Sequence, residues 1–225
     1  MVALILADGD APSRAVLDAT WPGWLDGVTR VVAADGGARH AMSLGVTIDL
    51  WVGDGDSVDA ATLRDLVARG VEVRRSRPDK DESDTELALR AALADDPSGV
   101  VVIGATGGPR LDHELANIGL LAMPELDGRT AILYAPRARI TRLRRPGGPA
   151  EARLRGRPGD TVSLLPYGGD VRGVTTLGLR YPLRDEDLPL GTPRGLSNII
   201  DEADAGVAIR DGLLLVIETA ATISA

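Results

Sequence analysis

The strongest constraint on this chain is an alternation that runs through its first half. Short, nearly continuous apolar runs at Val2–Leu6, Val28–Ala34, Ile48–Val52, Val71–Arg75, Val100–Ile103 and Ala131–Ala135 are separated by segments with a helical apolar period. Runs of Val, Ile and Leu without alternation are what strands need when both faces are covered. The intervening segments place Leu63, Leu66 and Val67 on one face of 60–68, Leu87, Leu89 and Leu93 on 85–93, and Leu115, Ile118 and Leu121 on 111–122. Strand–helix–strand order predicts a parallel, Rossmann-like sheet flanked by helices.

Beyond Pro136 the period changes. Arg139–Arg144 still reads as a strand, and Arg145-Pro146-Gly147-Gly148-Pro149 then breaks the chain. Short strands follow at Glu151–Leu154, Thr161–Leu165, Val171–Leu177, Val207–Arg210 and Leu213–Glu218, divided by Pro and Gly. This predicts a smaller all-β, sandwich-like domain over 146–225 after an α/β domain over 1–145. Eight arginines fall between Arg137 and Arg157. The preferred reading is alternation along exposed strand faces, with a polyphosphate site as the sharper alternative.

Composition narrows the function. The 225 residues carry a net charge of -8, which argues against a general nucleic-acid binder. There is no cysteine, so disulfides and thiolate metal sites are excluded. The first residues lack a basic n-region, and no apolar run nears the roughly 20 residues that span a bilayer. A cytoplasmic protein without membrane contact is the expectation. Among 25 basic residues only Lys80 is a lysine. A compact ammonium is not replaced by a guanidinium, so its survival draws attention to its surroundings.

Ligands of open parallel sheets bind beyond the carboxyl ends of the strands. Four loops there hold unusual residues. Asp35-Gly36-Gly37 offers a tight turn with room for close backbone approach. Gly53-Asp54-Gly55-Asp56-Ser57 sets two carboxylates two apart, suited to a hard cation such as Mg²⁺. Asp79 to Glu86 packs five acids around Lys80. There Ser83 and Glu86 form a capping box for the next helix, but that leaves Asp79, Lys80 and Asp81 unexplained, because such density of like charge needs a cation. Finally, Thr106-Gly107-Gly108-Pro109-Arg110 opens a helix whose free N–H groups suit phosphate, with Arg110 as a bidentate clamp. Asp112 serves equally as a helix cap, and His113 as either an acid/base group or a helix-end histidine. Together the loops point to Mg-dependent chemistry on a polyphosphate.

Asp35-Gly36-Gly37-Ala38, Gly53-Asp54-Gly55-Asp56-Ser57, Asp81-x-Ser83-Asp84, Gly107 to His113 with Asn117, and Gly195-Leu196-Ser197-Asn198 occur in that order. In this the chain resembles the thiamine pyrophosphokinases. The resemblance implies transfer of a pyrophosphoryl group from ATP to the hydroxyl of thiamine, giving thiamine diphosphate and AMP. It implies Mg²⁺ on Asp54, Asp56 and Asp84, assisted by Asp81. It places Asp35, Gly36, Gly37, Lys80, Ser83, Thr106, Gly107, Gly108, Arg110, Asp112 and His113 about the nucleotide, and Ser57, Ser197 and Asn198 about thiamine. Asp54, Asp56, Asp84 and Arg110 become the catalytic set. A homodimer with sites at the subunit interface is the implied assembly. Two rival enzymes remain. Leu50-Trp51-Val52-Gly53-Asp54-Gly55-Asp56 nearly fits a haloacid-dehalogenase-type phosphatase, with Asp54 as nucleophile. Another heterocyclic alcohol, such as a pterin, is the other acceptor. A catalytically silent nucleotide-binding regulator on the same scaffold is the non-enzymatic alternative.

Overall fold

The structure is a computed structural model that describes residues 1–77 and 79–221. It divides into two compact units. The first comprises Met1–Arg14, Gly23–Leu120 and Leu133–Pro136. Its elements, in chain order, begin with β1 (Val2–Leu6), α1 (Arg14–Thr20), β2 (Val28–Ala34), α2 (His40–Leu44) and β3 (Leu50–Gly53). They continue with α3 (Ala60–Ala68), β4 (Glu72–Arg75), α4 (Asp84–Leu93), β5 (Gly99–Ile103), α5 (Leu111–Gly119) and β6 (Thr130–Tyr134). All of α1 after Arg14, and β6 up to Ile132, group with the second unit.

β5, β1, β2, β3 and β4 lie side by side in that order and all run parallel. The apolar runs explain the arrangement. Residues Ala3 to Leu6 and every residue of β5 are buried, so both faces of the central strands are covered. β4, at the edge, is mostly exposed and carries Glu72, Arg74 and Arg75. α4 packs on β1, β2 and β3 through Ala88, Leu89 and Ala92. Its start is fixed by Ser83, whose hydroxyl accepts from the Glu86 N–H. The reciprocal half of the expected capping box is absent, because the Glu86 carboxylate turns to Arg90 instead.

Most boundaries fall within one residue of expectation, and two differ by more. β3 begins at Leu50 because Asp49 ties itself to Val31 through side chain and backbone. The helix expected over 111–122 stops at Gly119 and tightens into a 3₁₀ turn over Leu120–Ala122. The sequence also gave no warning of α1 or α2, which are two turns or less and bury one or two side chains each.

The second unit comprises Ala15–Pro22, Leu121–Ile132 and Arg137–Ala225. It holds β7 (Ala138–Leu143), β8 (Ala150–Arg153), β9 (Thr161–Pro166), β10 (Val171–Leu177), β11 (Glu186–Leu188), β12 (Asn198–Ile199), β13 (Gly206–Ile209) and β14 (Leu214–Thr219). β7, β14, β9 and β12 pair antiparallel, and so do β8, β13, β10 and β11. Leu143, Val162, Leu164, Leu214 and Val216 from the first set share one core with Val171, Val174, Val207 and Ile209 from the second. β9 shows why, since its buried residues alternate strictly with half-buried ones.

The arginine stretch is not an alternating exposed face. Arg139 and Arg142 are buried. Arg139 meets the fully buried Glu218 directly across the β7–β14 pair, and Arg142 reaches Asp127 and the carbonyl of Leu121. Burial of a guanidinium is tolerated because each of these two has an acid and hydrogen-bonding geometry to match.

Candidate active site

Five loops leave the carboxyl ends of β1 to β5, and all five line one cavity of about 480 Å³ within the first unit. Its floor is acidic. Asp35 follows β2 directly and sits at φ 40°, a left-handed conformation rare outside glycine. It is held there by its surroundings. The Trp51 indole donates to the Asp35 carbonyl at 3.0 Å, and the Ser57 N–H donates to Asp35 Oδ2 at 3.1 Å. Asp35 is only 3% exposed, and its Oδ1 has no hydrogen-bond partner among the described residues. Burial pushes its carboxyl above the ordinary carboxylate range, although the Ser57 bonds work the other way.

Asp54 and Asp84 complete a group. One oxygen from each of Asp35, Asp54 and Asp84 lies within 4.8 Å of the others. Lys80 stands among them, with its ammonium 2.8 Å from Asp84 Oδ1 and 3.5 Å from Asp54 Oδ2. This is the cation that the dense run of acids demanded. Burial disfavours the charged ammonium, but Asp84 and Asp54 outweigh it and raise the Lys80 pKa. The Asp54 carboxyl is lowered, chiefly because the Asp56 N–H donates to it at 3.1 Å, with Lys80 adding to the effect. Three carboxylates, one of them buried with an unpartnered oxygen, suit a hard divalent cation. The residues present therefore fit Mg²⁺.

The other expected residues fall into three groups. Asp56, Ser57, Lys80, Ser83, Gly107, Gly108, Arg110 and His113 line the same cavity. Asp56 is exposed and lies outside the three-carboxylate group. Asp81, Thr106 and Asp112 are not among the lining residues. Asp112 instead receives the Arg110 guanidinium as a two-bond fork, and this holds its carboxyl down to about 2. The fork shows that Arg110 has the reach and geometry to grip two oxygens at once.

Gly36 and Gly37 also lie outside the cavity lining, and the need for them comes from the chain itself. A Cβ on Gly37 would stand 2.1 Å from the Leu6 carbonyl oxygen, and one on Gly36 2.4 Å from Asp8. Ser197 and Asn198 belong to the second unit. Asn198 is buried, accepting from the Tyr181 and Ile199 N–H groups and donating to the Tyr181 carbonyl at 2.7 Å. Ser197 is exposed at φ 57°.

One loop went unnoticed in the sequence. Asp8 and Gly9, just after β1, line the cavity. Arg39 pairs with Asp8 and donates to the Gly9 carbonyl at 3.0 Å, while His40 Nε2 lies 3.0 Å from the same oxygen. The rule that selected the other loops selects this one too.

These features define a class: an α/β protein whose polar loops gather around three carboxylates at the carboxyl ends of parallel strands. Comparison with known proteins narrows it. Residues 24–133 match the catalytic domain of thiamin pyrophosphokinase, and 151–214 match its vitamin B1 binding domain. A thiamine pyrophosphokinase of Bacillus subtilis is 26% identical over 215 residues, 96% of this chain and 97% of its own length. The crystal structure of thiamine pyrophosphokinase from Bacillus subtilis superposes with a TM-score of 0.82 at 25% identity, covering 99% of this chain and 100% of that one. A thiamin pyrophosphokinase family protein of Enterococcus faecalis gives 0.77 at 27% identity, covering 98% and 99%. The chain is an enzyme of the thiamine pyrophosphokinase family. The phosphatase reading of Asp54 falls with this, since the matched domains account for both halves of the chain.

Proposed function

We infer that the enzyme moves a pyrophosphoryl group from ATP to the hydroxyl of thiamine, releasing AMP. The observation that carries this reading is the Asp35–Asp54–Asp84 group with Lys80, set opposite a Gly-rich helix start in one cavity. In the step itself the thiamine hydroxyl oxygen bonds to the β-phosphorus. The bond from that phosphorus to the bridging oxygen breaks, its electron pair leaves on AMP, and the hydroxyl proton passes to water.

Asp35, Asp54 and Asp84 hold Mg²⁺, and Asp56 at the edge of the same cavity is retained as a further candidate ligand. The ion, when bound, offsets charge on the phosphate chain. Lys80 keeps Asp54 and Asp84 together before substrate arrives and then offers its ammonium to phosphate. Arg110 exchanges the Asp112 carboxylate for phosphate oxygens, which accept the same fork. The N–H groups from Gly107 to the start of α5 receive the remaining oxygens.

Ser57 of the first unit and Ser197 of the second are assigned to contacts with thiamine. Asn198 is assigned to positioning, because its amide oxygen and one amide N–H are engaged by the Tyr181 and Ile199 backbone. The working assembly is a homodimer in which the 195–198 segment completes the site of the other subunit, and the compartment is the cytoplasm. Among the described residues no helix is long and apolar enough to cross a membrane.

Incubation with ATP, Mg²⁺ and thiamine tests the reaction. AMP and thiamine diphosphate should form in equal amounts, and only when thiamine is present. AMP formation with a pterin alcohol but not with thiamine would move the enzyme to another acceptor. For the assembly, Asp54→Asn and Asn198→Ala chains are mixed and allowed to exchange. Recovered activity supports a site shared between subunits, and its absence in proven heterodimers refutes it.

A further inference from the structure

The arginine stretch that the reaction does not use forms a second concave surface. A cavity of about 760 Å³ lies wholly within the second unit, beside β7 and β8. Seven arginines line it, against a single acid, Glu151. In a chain whose net charge is -8, such a concentration of one sign is not a sample of the average surface.

The local pairing shows which charges remain. Arg139 is matched by Glu218, Arg142 and Arg144 share Asp127, and Arg153 faces Asp204. Arg145 and Arg155 have no carboxylate partner among the described residues, and both are exposed. Another lining residue, Thr141, is 7% exposed, and its hydroxyl has no hydrogen-bond partner among the described residues. Leu143, Ala150 and Ala152 supply an apolar strip. The cavity is thus cationic, concave and of small-molecule size.

We propose that this cavity binds a small di- or triphosphate at a site separate from the acidic cavity. Guanidinium groups match the oxygens of an oxyanion in pairs, and several of them together favour a multiply charged phosphate chain over a halide or a monocarboxylate. The concave shape favours a compact anion over a polymer. Among the described residues no aromatic side chain lines the cavity, so it offers no platform for a nucleobase, and the phosphate chain is the recognised part.

The chemistry of the two sites separates them experimentally. Carboxylates need a divalent cation to receive polyphosphate, whereas arginines do not. The test is calorimetric titration of the full chain with inorganic triphosphate in excess chelator. One site per chain is expected, weakening as salt is raised. Arg145→Glu with Arg155→Glu should weaken it at least tenfold, and both residues are exposed, so the fold should be kept. Arg110→Ala, in the other cavity, should leave the affinity within twofold. A nucleoside triphosphate should bind within a fewfold of the inorganic one.

Absence of binding overturns the proposal, as does affinity unchanged by the double reversal or lost with Arg110 alone. Binding of the nucleoside triphosphate without the inorganic one also overturns it, because the nucleoside would then be what is read. None of these outcomes depends on turnover, so failure here leaves the proposed reaction standing, and the reverse.

Discussion

The two units bury negative charge in opposite ways. In the second, Glu218 is completely buried and fully answered: Arg139 pairs with one oxygen, and the N–H groups of Arg155 and Gly156 donate to the other. In the first, Asp35 is almost as buried, yet one of its oxygens has no partner among the described residues. A satisfied buried carboxylate belongs to the architecture, where it joins β14 to the 155–156 turn and to β7. On the proposed reading, an unsatisfied one, held in a strained backbone conformation, is a cost kept for a ligand.

Substitutions can break this comparison, and the largest effect is expected in the first unit. Asp54→Asn or Asp84→Asn removes charge from the group but keeps side-chain size. Turnover should fall by about a thousandfold, the worth of several kcal/mol of charge stabilisation, with unfolding midpoints near wild type. Turnover within a fewfold of wild type in both would detach the group from catalysis. Next comes Glu218→Ala, which strands Arg139 in the interior. Denaturant unfolding should show a loss of about 3–5 kcal/mol, and a loss under 1 kcal/mol would mean that the pair is not structural.

How much of this contrast was legible beforehand depends on what set it. The bounds of β1, β2, α3 and β10 could be read directly, because apolar runs and period report burial. Lys80 was legible as an exception within its own composition. The loop at Asp8 was legible too, since Asp8-Gly9-Asp10 follows a strand end like the others. Asp35 was visible only as part of a turn. Its left-handed backbone and unpartnered oxygen arise from Trp51, Gly53 and Ser57, which are distant in sequence. The arginine stretch misled for a related reason. Glu218 and Asp127, its main partners, lie 79 and 15 residues away from the arginines they hold.

Two smaller effects sharpen the comparison. Arg110→Lys keeps the charge but loses the fork, and kcat/KM should drop about tenfold with stability unaltered. An unchanged kcat/KM would remove Arg110 from phosphate binding. The smallest effect concerns Asp35 in metal-free protein. Its folded carboxyl is raised above the unfolded value of 3.8, so the folded state holds the proton longer. Wild-type stability should therefore decline as pH rises through the window above 3.8, and below it this contribution is constant. Asp35→Asn should lack that decline and be more stable near neutral pH by about 1 kcal/mol or less. A variant less stable than wild type at neutral pH would contradict the assignment of burial as the dominant cause.

The central claim is that the buried Asp35, and not the exposed Asp81, completes the cation site with Asp54 and Asp84. Calorimetric titration with Mg²⁺ in the presence of a non-hydrolysable ATP analogue tests it directly. Asp35→Asn should weaken Mg²⁺ binding at least tenfold, while Asp81→Asn leaves it within twofold of wild type. The opposite pattern, with Asp81 required and Asp35 dispensable, would contradict the account.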